Sequence, residues 1–207
     1  MSTGAKLKKK YNFGSDAMNY IERPEYMQRL LDLMGTPDIK IITGVRRSGK
    51  SELMKAYIRR ISEIKPEANI IFVDFFDLKY EGLKEYHALY DYIESHYDAE
   101  QENYVFVDEA QLCDKFELAI NSLHTSRKYD LYITGSNAFL LGSDLTTLFT
   151  GRYIEIHVFP FSFAEFCRYY AEEQDTAKLF DDYVIKGGLA GSYEYRTERD
   201  RTNYIRD

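Results

Sequence analysis

Eight residues, Gly44-Val45-Arg46-Arg47-Ser48-Gly49-Lys50-Ser51, carry the spacing G-x-x-x-x-G-K-[ST]. That spacing suits the capture of a chain of phosphates. Gly44 and Gly49 permit backbone angles and close approach that a Cβ would block. The loop amides can then converge into an anion-binding nest. A helix that starts at the loop aims its positive end at the same point. Lys50 can reach the outer phosphates, and the Ser51 hydroxyl can ligate Mg²⁺. The binding candidates are therefore the whole run Gly44, Val45, Arg46, Arg47, Ser48, Gly49, Lys50 and Ser51, with Glu52 next to it.

A second constellation lies downstream. Tyr104-Val105-Phe106-Val107 is an apolar run that ends in Asp108-Glu109. In an open α/β sheet ligands collect at the carboxyl ends of the strands. Asp108 there can hold the shell of a Mg²⁺ opposite Ser51. Glu109 can serve as a general base that orients a water for attack on a terminal phosphate. A third run, Leu131-Tyr132-Ile133-Thr134-Gly135-Ser136-Asn137, ends in small polar residues at what should be the same edge. Ser136 is the first candidate for contact with the γ-phosphate or the water, and Asn137 the second. Helix capping by either residue is the competing reading. Arg152 precedes the strand Tyr153-Ile154-Glu155-Ile156-His157-Val158. It could neutralise transition-state charge near a shared nucleotide edge, or form a structural salt bridge.

These residues need a scaffold, and the hydrophobic pattern supplies one. Ile39 to Thr43 reads as a short strand ahead of the loop, and Leu53, Met54, Tyr57, Ile58, Ile61 and Ile64 recur at helical spacing after it. Pro24 falls at the first position of an earlier helix whose apolar face is Tyr26, Leu30, Leu31 and Met34, stopped by Gly35-Thr36-Pro37. Ile21 and Arg23, just ahead of that helix, could touch a base or simply pack. Asn69 to Phe76 reads as a buried strand. Asp74 and Asp77 near its end receive no role. Leu83, Tyr86, Leu89, Tyr90, Ile93 and Tyr97 form one face of an amphipathic helix over 80–99. From Ser162 the pattern turns helical again, with Phe163, Phe166, Cys167 and Tyr170 on one face and Leu179, Phe180, Tyr183 and Val184 on another.

Composition bounds the function. The 207 residues are 44% hydrophobic and 29% charged, enough for one well-cored domain. The net charge of −7 argues against a general polyanion binder, though a local basic patch remains compatible with it. Cys113 and Cys167 lie far apart, read as small buried hydrophobes, and fit a reducing, cytoplasmic setting. Lys6-Leu7-Lys8-Lys9-Lys10 has no apolar core behind it, so residues 1–18 read as a flexible tail rather than a secretory signal. No run of about 18 apolar residues is present, and no membrane association is expected. Glu194 to Asp207 offers too little apolar surface to close a core, which suggests that the chain stops inside a larger protein.

GVRRSGKS, VFVDEAQ, ITGSN, LFTGRYIEIHVFPFSFAEF and GGLAGSYEY together resemble a bacterial and archaeal family of AAA-type ATPases that carry an additional, uncharacterised C-terminal domain. The resemblance runs from about Ile21 to Asp207. It implies a three-layer α/β P-loop NTPase fold of the AAA/ASCE type, with a parallel sheet ordered 5-1-4-3-2 and a partial helical lid. It divides the chain into a tail over 1–18, an ATPase core over 19–160 and a truncated lid region over 161–207. It implies ATP and Mg²⁺ as ligands, Gly49, Lys50 and Ser51 on phosphate and metal, Asp108 and Glu109 as the magnesium and hydrolytic carboxylates, and Ser136 or Asn137 as the sensor. Ala190 stands where the family usually has Pro after Gly-Gly-Leu, away from every nucleotide residue.

The expected activity is Mg²⁺-dependent ATP hydrolysis. The alternative is a slow nucleotide-gated switch that docks a protein or DNA partner, and a homo-oligomer would let Arg152 act across subunits. No N/T-K-x-D guanine signature, further helicase-like motif or legible acceptor pocket supports a GTPase, a helicase or a small-molecule kinase.

Overall fold

The computed structural model describes residues 22–136, 145–170 and 175–206. At its centre is β1 (Ile39–Thr43), buried along its whole length. It is flanked by β4 (Tyr129–Thr134) and β5 (Tyr153–His157), and β2 (Asn69–Asp74) and β3 (Asn103–Asp108) complete the sheet. The order is β2-β3-β4-β1-β5, with every pairing parallel. That is the expected 5-1-4-3-2 order seen from the other edge. Strands covered on both faces should be apolar throughout, as these largely are.

Alternation along the strands divides the core in two. Ile39, Ile41, Val73, Val105, Val107, Leu131 and Ile133 face one side. There they meet Leu89 and Ile93 of α3 (Tyr86–Ser95), Phe116, Ile120 and Leu123 of α4 (Phe116–Ser126), and Phe149 of α5 (Leu145–Phe149). Ile42, Phe72, Phe106 and Tyr132 face the other side. They pack on Leu30 of α1 (Pro24–Asp32) and on Leu53, Met54, Tyr57, Ile58 and Ile61 of α2 (Lys50–Ile64). Three layers result, with the sheet in the middle and α2 in the layer on one side of it.

Lys40, on β1, is fully buried yet paired. Its ammonium donates to Asp130 and to the Thr36 carbonyl, and Tyr132 donates to the same Asp130. This network closes the amino-terminal end of the sheet, opposite the phosphate loop.

Three local expectations change. The strand after α2 stops at Asp74 rather than Phe76, because the chain turns there: Phe75 is buried and Phe76 is exposed. The helix expected over 80–99 is broken. A 3₁₀ segment, Leu78–Leu83, precedes α3, and the Glu85 carboxylate caps α3 through the His87 and Ala88 amides. That cap satisfies amides a continuous helix would have bonded internally, so the periodicity alone did not reveal the break. Ile64, read as part of the apolar face of α2, is exposed.

Beyond the sheet, Ser162 and Glu165 form a reciprocal capping box at the start of α6 (Phe163–Tyr169). α7 (Thr176–Lys186) packs on α6, with Phe166 against Tyr170, Tyr183 and Tyr193. Phe161 N donates to Gly188 O at 2.7 Å, and a Cβ on Gly188 would collide with the Phe161 carbonyl. α8 (Glu198–Arg206) closes the described chain and buries none of its own residues. The expected tail over 1–18 lies outside the described residues.

Candidate functional site

The phosphate loop leaves β1 at its carboxyl end and winds into α2. Gly44 has φ +145°, and a Cβ there would strike the Val158 carbonyl and the Ser48 hydroxyl. Gly49 has φ +92° at the N-cap of α2, with open space where a Cβ would project. No side chain caps the helix, so its first amides keep their positive end free for an anion. Among the described residues Ser48 Oγ is buried with no hydrogen-bond partner. A buried polar atom without a partner is uncommon. Its hydroxyl fits an anion held in this loop.

Lys50 is buried, and its ammonium donates to the Gly44 and Val45 carbonyls, each at 3.0 Å. Burial pulls its pKa below 10.5, against the opposing charges of Glu109 and Asp108. Ser51 Oγ donates to Asp108 Oδ1 at 3.1 Å. Lys50, Ser51, Asp108 and Glu109, read from two separate stretches of sequence, are thus brought to one edge of the sheet.

Asp108 is 1% exposed. Burial raises its pKa, hydroxyl bonds from Thr134 and Ser51 oppose the rise, and the charges of Asp74 and Glu109 add to it. An exclusively oxygen donor set, a hydroxyl beside a buried carboxylate, fits a hard divalent cation such as Mg²⁺. Among the described residues no group of three or more His, Cys, Asp or Glu is arranged to hold a metal. A cation at Ser51 and Asp108 would take its remaining ligands from water and phosphate.

The other expected site residues fall into three groups. Val45 and Arg46 are exposed at the loop surface. Arg47 is half-buried, and its guanidinium stacks on the Tyr204 ring of α8 at 4.0 Å and donates to the Tyr204 carbonyl. Glu52 is exposed on the first turn of α2 and pairs with Lys55 at 3.3 Å, so its carboxylate faces solvent. Ser136 follows β4 and is half-buried, while Asn137 lies outside the described residues, as does Ile21.

Arg152 is at the amino-terminal end of the sheet, away from its own chain's Gly44–Ser51 loop. Its carbonyl accepts Ile39 N at 3.0 Å, at the start of β1, and its side chain is exposed. Five strand residues separate Ile39 from the loop, a distance of about 15 Å. The register of β5 on β1 thus sets Arg152 at the opposite end of the sheet from the loop of its own chain.

Two participants escaped the sequence. Asp74 lies directly across from Asp108 in the β2–β3 register. Its position at the end of a neighbouring strand was the available signal. Thr134, which reads only as the last residue of an apolar strand, donates to Asp108 Oδ1 and accepts the Glu109 amide at 2.8 Å. Arg23 was expected either to touch a base or to pack. It is 5% exposed, its guanidinium donates to the Ser48 and Phe159 carbonyls, and it pairs with Glu165. It braces the phosphate loop through the Ser48 carbonyl, and packing, one of its two readings, accounts for these contacts.

The AAA domain family matches residues 36–167. An uncharacterised protein of Haemophilus influenzae is 37% identical over 177 residues, covering 82% of this chain and 44% of that protein. An uncharacterised protein of Methanocaldococcus jannaschii is 24% identical over 185 residues, covering 84% of this chain and 41% of its own length. The chain thus spans less than half the length of these relatives. Among solved structures, the Walker-type ATPase of Pyrococcus abyssi aligns with a TM-score of 0.61 at 17% identity, over 91% of this chain and 69% of that one. AMPPCP-bound DnaA from Aquifex aeolicus aligns with a TM-score of 0.53 at 15% identity, over 91% and 62%. At such identities the likeness is one of fold, the parallel sheet of the P-loop ATPases. With more than half of its residues inside the family's match, the chain belongs to the AAA domain family.

Proposed function

We propose that this chain is an ATPase domain that binds ATP with Mg²⁺ and hydrolyses its terminal phosphate. The observation that carries the reading is the 3.1 Å contact between Ser51 and Asp108 beside Lys50, at the mouth of an uncapped helix. Gly44 to Ser51 would wrap the phosphates with loop amides, and Lys50 would exchange its two carbonyl partners for phosphate oxygens. Ser51 and Asp108 would hold the cation, which when bound neutralises charge on the β- and γ-phosphate oxygens. Glu109 would take a proton from the attacking water as its oxygen bonds to the γ-phosphorus and the bond to the bridging oxygen breaks. Ser136 or Asn137 would contact the γ-phosphate or that water. The ATPase core would occupy 19–160 and the lid 161–207.

Replacing Glu109 by Gln tests this. The variant should bind ATP as tightly as the wild type while turnover drops by about 10²–10⁴, the usual worth of a general base. Unchanged turnover would reject the role.

One observation favours the switch reading. Arg47 ties the phosphate loop to α8 through Tyr204, so loop occupancy has a direct route to that helix. In that case hydrolysis is slow and the output is docking of a protein or DNA partner. Among the described residues no helix is long and apolar enough to cross a membrane. A cytoplasmic setting is part of the proposal and rests on the sequence's two separated cysteines.

A further inference from the structure

Thr134 ends β4 with its side chain buried between the two acids of the neighbouring strand end. Its hydroxyl does two things at once. It donates its single proton to Asp108 Oδ1, the same oxygen that receives Ser51. It also accepts the backbone amide of Glu109 at 2.8 Å. Only a hydroxyl can donate and accept at one atom in so little space. Valine would fill the volume but do neither.

The second bond matters because of the backbone it holds. Glu109 has φ 55° and ψ 50°, the left-handed region that a side-chain-bearing residue enters only when its surroundings require it. The Thr134–Glu109 bond is the contact that anchors this amide. The turn it stabilises sends the Glu109 carboxylate out of the strand direction, toward the same edge as Lys50, whose charge it influences. Gln111 then holds the carboxylate from its other side.

We propose that Thr134 is a positioning residue that sets the metal-facing acid and the base in one fixed relation. It touches neither substrate nor cation. It orients Asp108 through a side-chain bond and Glu109 through a main-chain bond. The proposal rests on the hydrolysis reading for its kinetic consequences but not for its magnesium consequence, which needs only nucleotide binding.

The test compares Thr134→Val and Thr134→Ser with the wild type, alone and in a Glu109→Gln background. In the valine variant kcat should fall about 10²-fold, the usual effect of a small misplacement of a reacting group. KM for ATP should stay within about twofold, since the phosphate loop is untouched. The Mg²⁺ concentration that half-saturates binding of a fluorescent non-hydrolysable ATP analogue should rise severalfold. Serine, which keeps the hydroxyl and folds on the same strand, should restore both values. In the Glu109→Gln background at saturating Mg²⁺, where the Asp108 arm is satisfied, valine should lower kcat little further, because the remaining effect on the rate runs through Glu109.

A valine variant with wild-type kcat and magnesium dependence overturns the proposal. So does a serine variant as impaired as valine, or a valine loss of equal size in both backgrounds. A wild-type protein with no turnover sinks the hydrolysis reading alone, and Thr134 is then judged by the magnesium titration.

Discussion

Arg23 Nε lies 2.6 Å from Glu165 Oε1, in an ion pair buried at both ends and closed across 142 residues of chain. Tyr26 and Phe161 stack on the guanidinium at 4.4 and 4.9 Å. The same arginine holds the Ser48 carbonyl of the phosphate loop at 3.2 Å. The start of the helical segment, the end of the sheet and the loop thus share one cation. Burial alone would raise the Glu165 pKa, yet Arg23 and the Ser162 amide outweigh it and hold the carboxyl low.

Breaking such a pair from one side leaves a buried charge uncompensated, which costs about 3–5 kcal/mol. Arg23→Ala should therefore lower the melting temperature by about 10 °C for a chain of this size. Thermal denaturation followed by circular dichroism checks this, and a melting point within a degree of wild type would mean that the pair contributes nothing net.

The parts of this site that were legible are those decided locally. Gly44, Gly49, Lys50 and Ser51 announce themselves because loop geometry and phosphate chemistry demand those residue types at that spacing. Asp108 and Glu109 do so because an apolar strand ends in two carboxylates. The strand order came from resemblance to a family, and the parallel register agrees with it. The partners of Arg23, Asp74 and Thr134 were hidden for one shared reason. Each acts through a partner brought to it only by the tertiary fold: Glu165, Asp108, and the Asp108–Glu109 pair. The guanidinium of Arg47 meets an aromatic ring 157 residues away, a contact that the motif alone does not announce.

Lys50 makes a prediction in pH. Its amine must be charged to attract phosphate, and burial lowers its pKa from 10.5. A lysine with a lowered pKa becomes neutral earlier as pH rises. The affinity for ATP should therefore begin to fall below pH 10.5, and binding in that range should be accompanied by proton uptake. Lys50→Ala should abolish binding at every pH. Calorimetric titration in buffers of different ionisation enthalpy reads both quantities. An alanine variant that binds ATP as the wild type does would remove Lys50 from the site.

Arg152 makes a prediction in concentration. It stands exposed at the amino-terminal end of β5, hydrogen-bonded through its carbonyl to Ile39, while the phosphate loop leaves the far end of β1. Within one chain it stands at the other end of the sheet from that loop. If it stabilises transition-state charge, it does so on a second copy, and the rate per protomer must then rise with protein concentration. An arginine acting in this way is worth about 10³–10⁵ in rate. Arg152→Ala should remove the concentration dependence and leave the slow rate of the dilute wild type. Mixing Arg152→Ala with Glu109→Gln should regain part of the lost activity, since a pair of the two offers one intact site. Turnover that is independent of concentration and indifferent to Arg152→Ala would return this arginine to the surface role that its exposure alone would suggest.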